Sequence, residues 1–127
     1  MSNTVKVLEV TDVTLTIYKS NPPILGIFAE GVVLTSGYQN PKLIPYVYIA
    51  PPEDGIWDFD FVADQPEGPA KQVLTPILAT FLWSDFHENI KGVRIHGVVN
   101  SIERKISEHR EKELRSTFVK NSEEIGV

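Results

Sequence analysis

The 127-residue chain contains no cysteine and a single methionine. Without thiols the fold cannot rest on disulfides, and a cysteine-based zinc site or a thiol nucleophile is excluded. Stability has to come from packing, and a reducing compartment is favoured. Long apolar runs are missing as well. The longest, such as Ile77 to Trp83, contain Thr80 and fall far short of the ~18 residues a membrane-spanning helix requires. Met1 to Lys6 shows no basic start followed by an apolar stretch, so no signal peptide is expected, and there is no Asn-x-Ser/Thr acceptor. Residence in the cytoplasm, with no membrane partner, is the simplest expectation. Excess positive charge is lacking too: 12 Lys and Arg against 17 Asp and Glu leave a formal charge of -5. Such a chain repels phosphate backbones, and no basic cluster interleaved with aromatics lies on its body, so nucleic acid is not an expected partner.

What remains is a chain of single-domain size, 42% hydrophobic, able to bury roughly two thirds of its unfolded surface in one core. From Thr4 to Ile102 it reads as short apolar segments cut by Pro, Gly, Asn and Asp, which is the punctuation of a β protein. Val5 to Val10 forms the first segment. After Thr11-Asp12, the stretch Val13 to Tyr18 alternates strictly, with Val13, Leu15 and Ile17 on one face and Thr14, Thr16 and Tyr18 on the other. Asn21-Pro22-Pro23 turns the chain into a strand from about Leu25 to Leu34, where Gly26 and Gly31 predict a bulge or a close backbone approach. Ser36 to Pro41 reads as a loop, and Ile44 to Ala50 as an edge strand because of Pro45. Pro51 to Gly55 is the strongest turn signal. It leads into alternating Trp57, Phe59 and Phe61, three rings expected to anchor the core. Ala63 to Lys71 is a loop, Val73 to Trp83 a bent strand that Pro76 keeps from being an uninterrupted central one, and Val93 to Val99 the last strand.

The rhythm predicts an all-β domain over 1–102, an antiparallel sandwich of about seven strands, immunoglobulin-like or a related Greek key. Residues 103–127 differ in kind, holding six basic and six acidic residues. They read as a charged tail with a possible short helix from Ser107 to Phe118, supported by the i,i+4 pairs Glu108/Lys112 and Glu111/Arg115.

Candidate chemistry is sparse. Asp58 and Asp60 project from one strand face and could share a hard cation such as calcium, although a solvated strand face is the commoner meaning of such a pair. At about 7 Å apart on one strand, they would not flank a sugar from two sides as glycosidase carboxylates do. Arg94 and His96 share a face of the last strand; they could bind an anion, or meet Asp58 and Asp60 across a ladder as a purely structural contact. Tyr46 and Tyr48 lie on one face and could form a stacking platform for a sugar or peptide, or pack beneath a loop. Trp83 to Glu88 holds the residue types of a hydrolytic triad, but sequence neighbours do not converge as a triad must, and no nucleophile elbow or phosphate loop is present. His87 and His109 read as ordinary surface histidines. No cofactor is implied.

A less local pattern points elsewhere. Ile24, Phe28, Val32 and Leu34 oppose Leu25, Ile27 and Val33 on one strand, while Leu74, Leu78 and Leu82 oppose Val73, Ile77 and Phe81 on another. One buried face does not need both sets. A cover over the second face is expected, from a partner subunit, the tail helix or another protein, with self-association as a homo-oligomer its leading form. The leading functional reading is therefore a non-enzymatic interaction module using a sheet face and the Tyr38 to Asn40 and Pro51 to Gly55 loops. A small-ligand, carbohydrate or calcium binder comes second and a small hydrolase third.

Overall fold

The structure, a computed structural model, describes residues 3–106. It holds eight strands, β1 (Thr4–Lys6), β2 (Glu9–Tyr18), β3 (Ile24–Val33), β4 (Gln39–Pro45), β5 (Ile56–Asp64), β6 (Thr75–Trp83), β7 (Gly92–His96) and β8 (Ser101–Lys105). In sheet A the order is β1-β5-β7-β8 with β4 also on β5, and in sheet B it is β2-β3-β6. Val62 and Asp64 pair with both β1 and β4, so these two strands flank β5 on opposite sides. The expected all-β sandwich is what the chain forms.

Its core follows from alternation. On the inner face of sheet B, Val13 and Leu15 of β2, Leu25, Ile27, Ala29 and Val33 of β3, and Ile77 and Ala79 of β6 are buried. Sheet A answers with Leu43, Phe59, Phe61, Ala63, Val93 and Ile95. Trp57 is half-buried and passes the contact on: it meets Trp83 edge-on at 5.7 Å, and Trp83 meets Phe59 at 5.5 Å and Phe81 at 6.0 Å between ring centres. Edge-to-face rings at these distances add about 0.5–1.5 kcal/mol per pair beyond their area. Pro76 sits in β6, an edge strand of sheet B, where its missing N–H leaves no gap in a central ladder.

Four sequence expectations need correction. The Val5–Val10 segment is not one strand. Val7 N donates to Phe61 O (2.9 Å) in sheet A and the next amide, Leu8 N, to Val32 O (3.1 Å) in sheet B, so the chain changes sheets there. Not every pair is antiparallel: β5 and β7 run parallel, because β6 lies in the opposite sheet and the chain crosses the sandwich twice before re-entering sheet A. The strand expected over Ile44–Ala50 ends at Pro45, having begun inside the expected loop at Gln39. Val98 and Val99 are not in β7; their amides bond to Val7 O (2.9 Å) and Leu8 O (3.0 Å), forming a turn that leads into β8. β8 carries the packed unit past residue 102. Ile106 is buried and donates to Lys91 O at 2.8 Å. The helix expected from Ser107 to Phe118 lies outside the described residues.

The junction where the chain changes sheets is held by two devices. The Asn100 amide clasps Val10 from both sides, accepting from Val10 N (2.8 Å) and donating to Val10 O (2.7 Å). Beside it the β2–β3 register slips between Val10 and Asp12, the bulge that Gly31 predicts. A Cβ on Gly31 would stand 2.6 Å from Glu9 O and 3.1 Å from the Phe61 ring. Neither the strand backbone nor a fully buried ring can give way cheaply, so Gly31→Ala is expected to destabilise the fold by about 1–3 kcal/mol. Urea unfolding of wild type and variant checks this; equal midpoints would contradict it.

Candidate functional site

The six residues singled out from sequence converge on one place, the outer face of sheet A beside the segment that follows β4. Alternation along β5 turns Phe59 and Phe61 inward, so Asp58 and Asp60 face out. The parallel register then sets Asp58 beside Arg94 and Asp60 beside His96, and the antiparallel β7–β8 pair sets Arg94 beside Glu103. Paired residues in register share a face, and so acid meets base across the ladder.

Asp58 is the hub, with its side chain 17% exposed. Its Oδ1 accepts from Arg94 Nη1 at 3.0 Å and from His96 Nε2 at 2.7 Å, an assignment that puts a ring proton on Nε2. Its Oδ2 accepts from the Tyr48 hydroxyl at 2.8 Å, while the Asp58 amide donates back to the same hydroxyl at 2.9 Å. Arg94 also reaches Glu103 Oε1 at 2.8 Å and Asp54 Oδ2 at 3.8 Å. Tyr46 donates to Asp60 Oδ1 at 3.0 Å and stacks on His96, with ring centres 5.5 Å apart. Lys6 adds a looser contact to Asp60 at 3.6 Å.

Titration behaviour follows from these contacts. Burial pushes the Asp58 carboxyl up, but the hydrogen bonds from His96 and Tyr48 and the nearby Arg94 charge outweigh it and hold the group below its ordinary value. The Tyr48 and Tyr46 hydroxyls are raised, first by burial and then by their bonds to Asp58 and Asp60. Arg94 is raised chiefly by its bond to Glu103.

The cluster is a closed network rather than an open receptor. Both oxygens of Asp58 are taken, and the Arg94 fork is divided among carboxylates of the same chain. An incoming anion has to compete with those carboxylates for Arg94, and a cation has to displace Arg94 from Asp58. Among the described residues no group of three or more His, Cys, Asp or Glu is placed to hold a metal ion. Tyr46 and Tyr48 share a face as expected, and their hydroxyls bond to β5, Tyr48 half-buried and Tyr46 still 40% exposed, while Val47 and Ile49 on the other side stand in solvent, 98% and 108% exposed. Within the triad-like stretch, His87 lies against Trp57, ring centres 6.3 Å apart, and its Nδ1 accepts from Asn89 N at 3.0 Å, a turn-capping role.

Sequence reasoning did not anticipate two clefts. One, of about 480 Å³, lies between Pro51, Pro52, Trp57, His87 and Lys91. The other, about 420 Å³, is lined by Asn3, Gln39, Asn40, Asp64 and Gln65. There Asp64 accepts from Thr4 Oγ1 at 2.5 Å and Asn40 Nδ2 at 3.0 Å, bonds that lower its carboxyl. Each cleft borders one of the two loops marked from sequence, and the prolines of one and the Gly37 to Pro41 turn of the other were the signals available. No protein-family model, curated protein or solved structure matches the chain.

Asp58→Asn removes the charge at the hub and is expected to cost about 1–3 kcal/mol at neutral pH. Because the folded carboxyl is lowered, its contribution is complete above the unfolded value of about 3.9 and is lost as pH falls through the lower folded value. The gap between wild type and variant in urea midpoint should therefore narrow below about pH 4. A gap that stays constant down to pH 2–3 contradicts the assignment of Asp58 as a stabilised carboxylate.

Proposed function

We propose that this chain is a non-enzymatic interaction module that self-associates through the outer face of sheet B. The observation that carries the reading is the exposure of the second apolar set. Leu78 and Leu82 of β6 are 62% and 61% exposed and Tyr18 of β2 is 43% exposed, all on the face turned away from the core. Leu34, Val73 and Leu74 border the same face and are exposed too.

The floor of this face is flat. Gly26 lies between Thr16 and Leu82 in register. A Cβ there would meet the rings of both Tyr18 and Phe28 at 3.0 Å, so these two rings lie over the glycine as one platform. Contiguous apolar surface of this kind on a water-soluble monomer marks a contact site, and burying one leucine side chain completely contributes about 1.5–3 kcal/mol. The opposite sheet supports the contrast, since its outer face is covered by the Asp58 network. The lack of cysteine supports work in a reducing compartment, the cytoplasm being the simplest.

Leu82→Glu introduces a charge on this face, in the edge strand β6, without touching the core. Light scattering across a concentration series should give twice the chain mass for wild type at high concentration and the single-chain mass for the variant. A wild type that stays monomeric, or a variant that associates as wild type does, overturns the reading.

A further inference from the structure

We propose that the cleft between residues 51–55 and 87–91 binds a free α-amino acid with an aromatic or large apolar side chain. No residue lining this cleft belongs to a strand of sheet B. The inference goes beyond the self-association proposed above and does not rest on it.

Both walls are held in place by the chain itself. The 51–55 turn is closed by Gly55 N donating to Pro52 O at 3.0 Å and by the Asp54 carboxylate, which accepts from Ile56 N at 2.9 Å. Gly55 O in turn accepts from Lys91 N at 2.8 Å, tying the turn to the start of β7. On the other side, His87 O accepts from Ile90 N at 3.0 Å and His87 Nδ1 from Asn89 N at 3.0 Å. A cleft with ordered walls loses little freedom when a ligand enters. Its volume of about 480 Å³ falls within the roughly 300–1,000 Å³ of small-molecule sites.

The lining combines apolar surface with two opposite charges. Pro51, Pro52 and the half-buried Trp57 supply the apolar part, and Trp57 is braced by Tyr48 and Trp83, with ring centres 5.0 Å and 5.7 Å away. Glu53 and Lys91 are exposed, and neither makes an ion pair among the described residues. A Cβ on Gly55, whose φ is +72°, would stand 2.8 Å from Lys91 Cγ and 3.0 Å from its Cδ, so the lysine stem lies against the turn that carries Glu53. Acid and base thus occupy neighbouring parts of one rim without neutralising each other. Two further donors are available. The bond from Asn89 N to His87 Nδ1 puts a ring proton on Nε2, and neither that nitrogen nor the Trp57 indole N–H is hydrogen-bonded among the described residues.

A zwitterion answers all of these groups at once. Its carboxylate takes Lys91, with the His87 and Trp57 N–H groups as further donors; its ammonium takes Glu53; its side chain covers the Trp57 ring and the prolines. A simple carboxylate leaves Glu53 unanswered and meets a chain of formal charge -5, while a simple amine leaves Lys91 unanswered. A segment inside a peptide carries neither charge, and a peptide terminus carries one.

The probe is L-phenylalanine, titrated into the full-length chain and followed by NMR at the Trp57 indole N–H and the Gly55 and Lys91 amides. These three signals should shift together and saturate with a single millimolar constant. Three compounds each lack one part: phenylpropionate the ammonium, phenylethylamine the carboxylate and glycine the ring. Each should bind the wild-type chain at least roughly tenfold more weakly, the loss expected for one contact to a charged group. Lys91→Gln should weaken L-phenylalanine by a similar factor and leave phenylethylamine unchanged, whereas Glu53→Gln should weaken it and leave phenylpropionate unchanged. Urea midpoints equal to wild type show that a variant has lost binding rather than folding, and the ligand series on the wild-type chain needs no variant. Signals that do not move with L-phenylalanine overturn the inference. So do phenylpropionate or phenylethylamine binding as tightly as the amino acid, or a folded variant that weakens every ligand alike.

Discussion

A β-strand sends alternate side chains to opposite faces, so each sheet of a sandwich has one side in the core and one side that must come to terms with water. The two sheets here do so in different ways. Sheet A turns a charged set outward and neutralises it within the chain: Asp58 holds Arg94, His96 and Tyr48, while Asp60 holds Tyr46. Sheet B turns out Leu78, Leu82 and Tyr18, all exposed, beside the half-buried Phe28. On the reading proposed above, sheet A is finished within one chain and sheet B is the side left to a contact.

The Asp58 network also explains the edge next to it. The segment after β4 forms no ladder beyond Tyr46 N to Asp58 O, at 2.9 Å, yet it is tied down by two phenolic hydroxyls. Tying Tyr46 and Tyr48 inward leaves Val47 and Ile49 pointing out. An exposed edge is thereby replaced by an irregular segment with polar anchors, one of the ways natural sheets avoid pairing edge to edge. At the opposite side of the sandwich, Arg104 of β8 donates Nε to Val13 O at 3.0 Å and so occupies an edge acceptor of β2. Pairing at these two edge positions is thereby discouraged, in keeping with the proposed contact through the face of sheet B.

Much of this was legible in the residues, for identifiable reasons. Strict alternation placed Val13 and Leu15 inward and Tyr18 outward; the Trp57-Phe59-Phe61 series located the core; the doubled apolar sets in β3 and β6 revealed an uncovered face. Asp58, Asp60, Arg94, His96, Tyr46 and Tyr48 were each marked from their own strand, and register brought them together. Register itself is not written locally. That β5 and β7 run parallel depends on β6 being in the other sheet, and that Val5–Val10 serves two sheets depends on Phe61 and Val32 lying beyond the segment. β8 was missed because Ser101 to Lys105 is mostly polar, a strand held by pairing with β7 rather than by an apolar face.

Solvent exposure of the Leu78 and Leu82 methyl groups, measured by paramagnetic relaxation from a neutral soluble probe in NMR, reports most directly on whether the outer face of sheet B is covered. With increasing protein concentration these two residues should become protected while Val47 and Ile49 stay exposed. Methyl groups of Leu78 and Leu82 that remain as accessible at high concentration as at low would contradict the account.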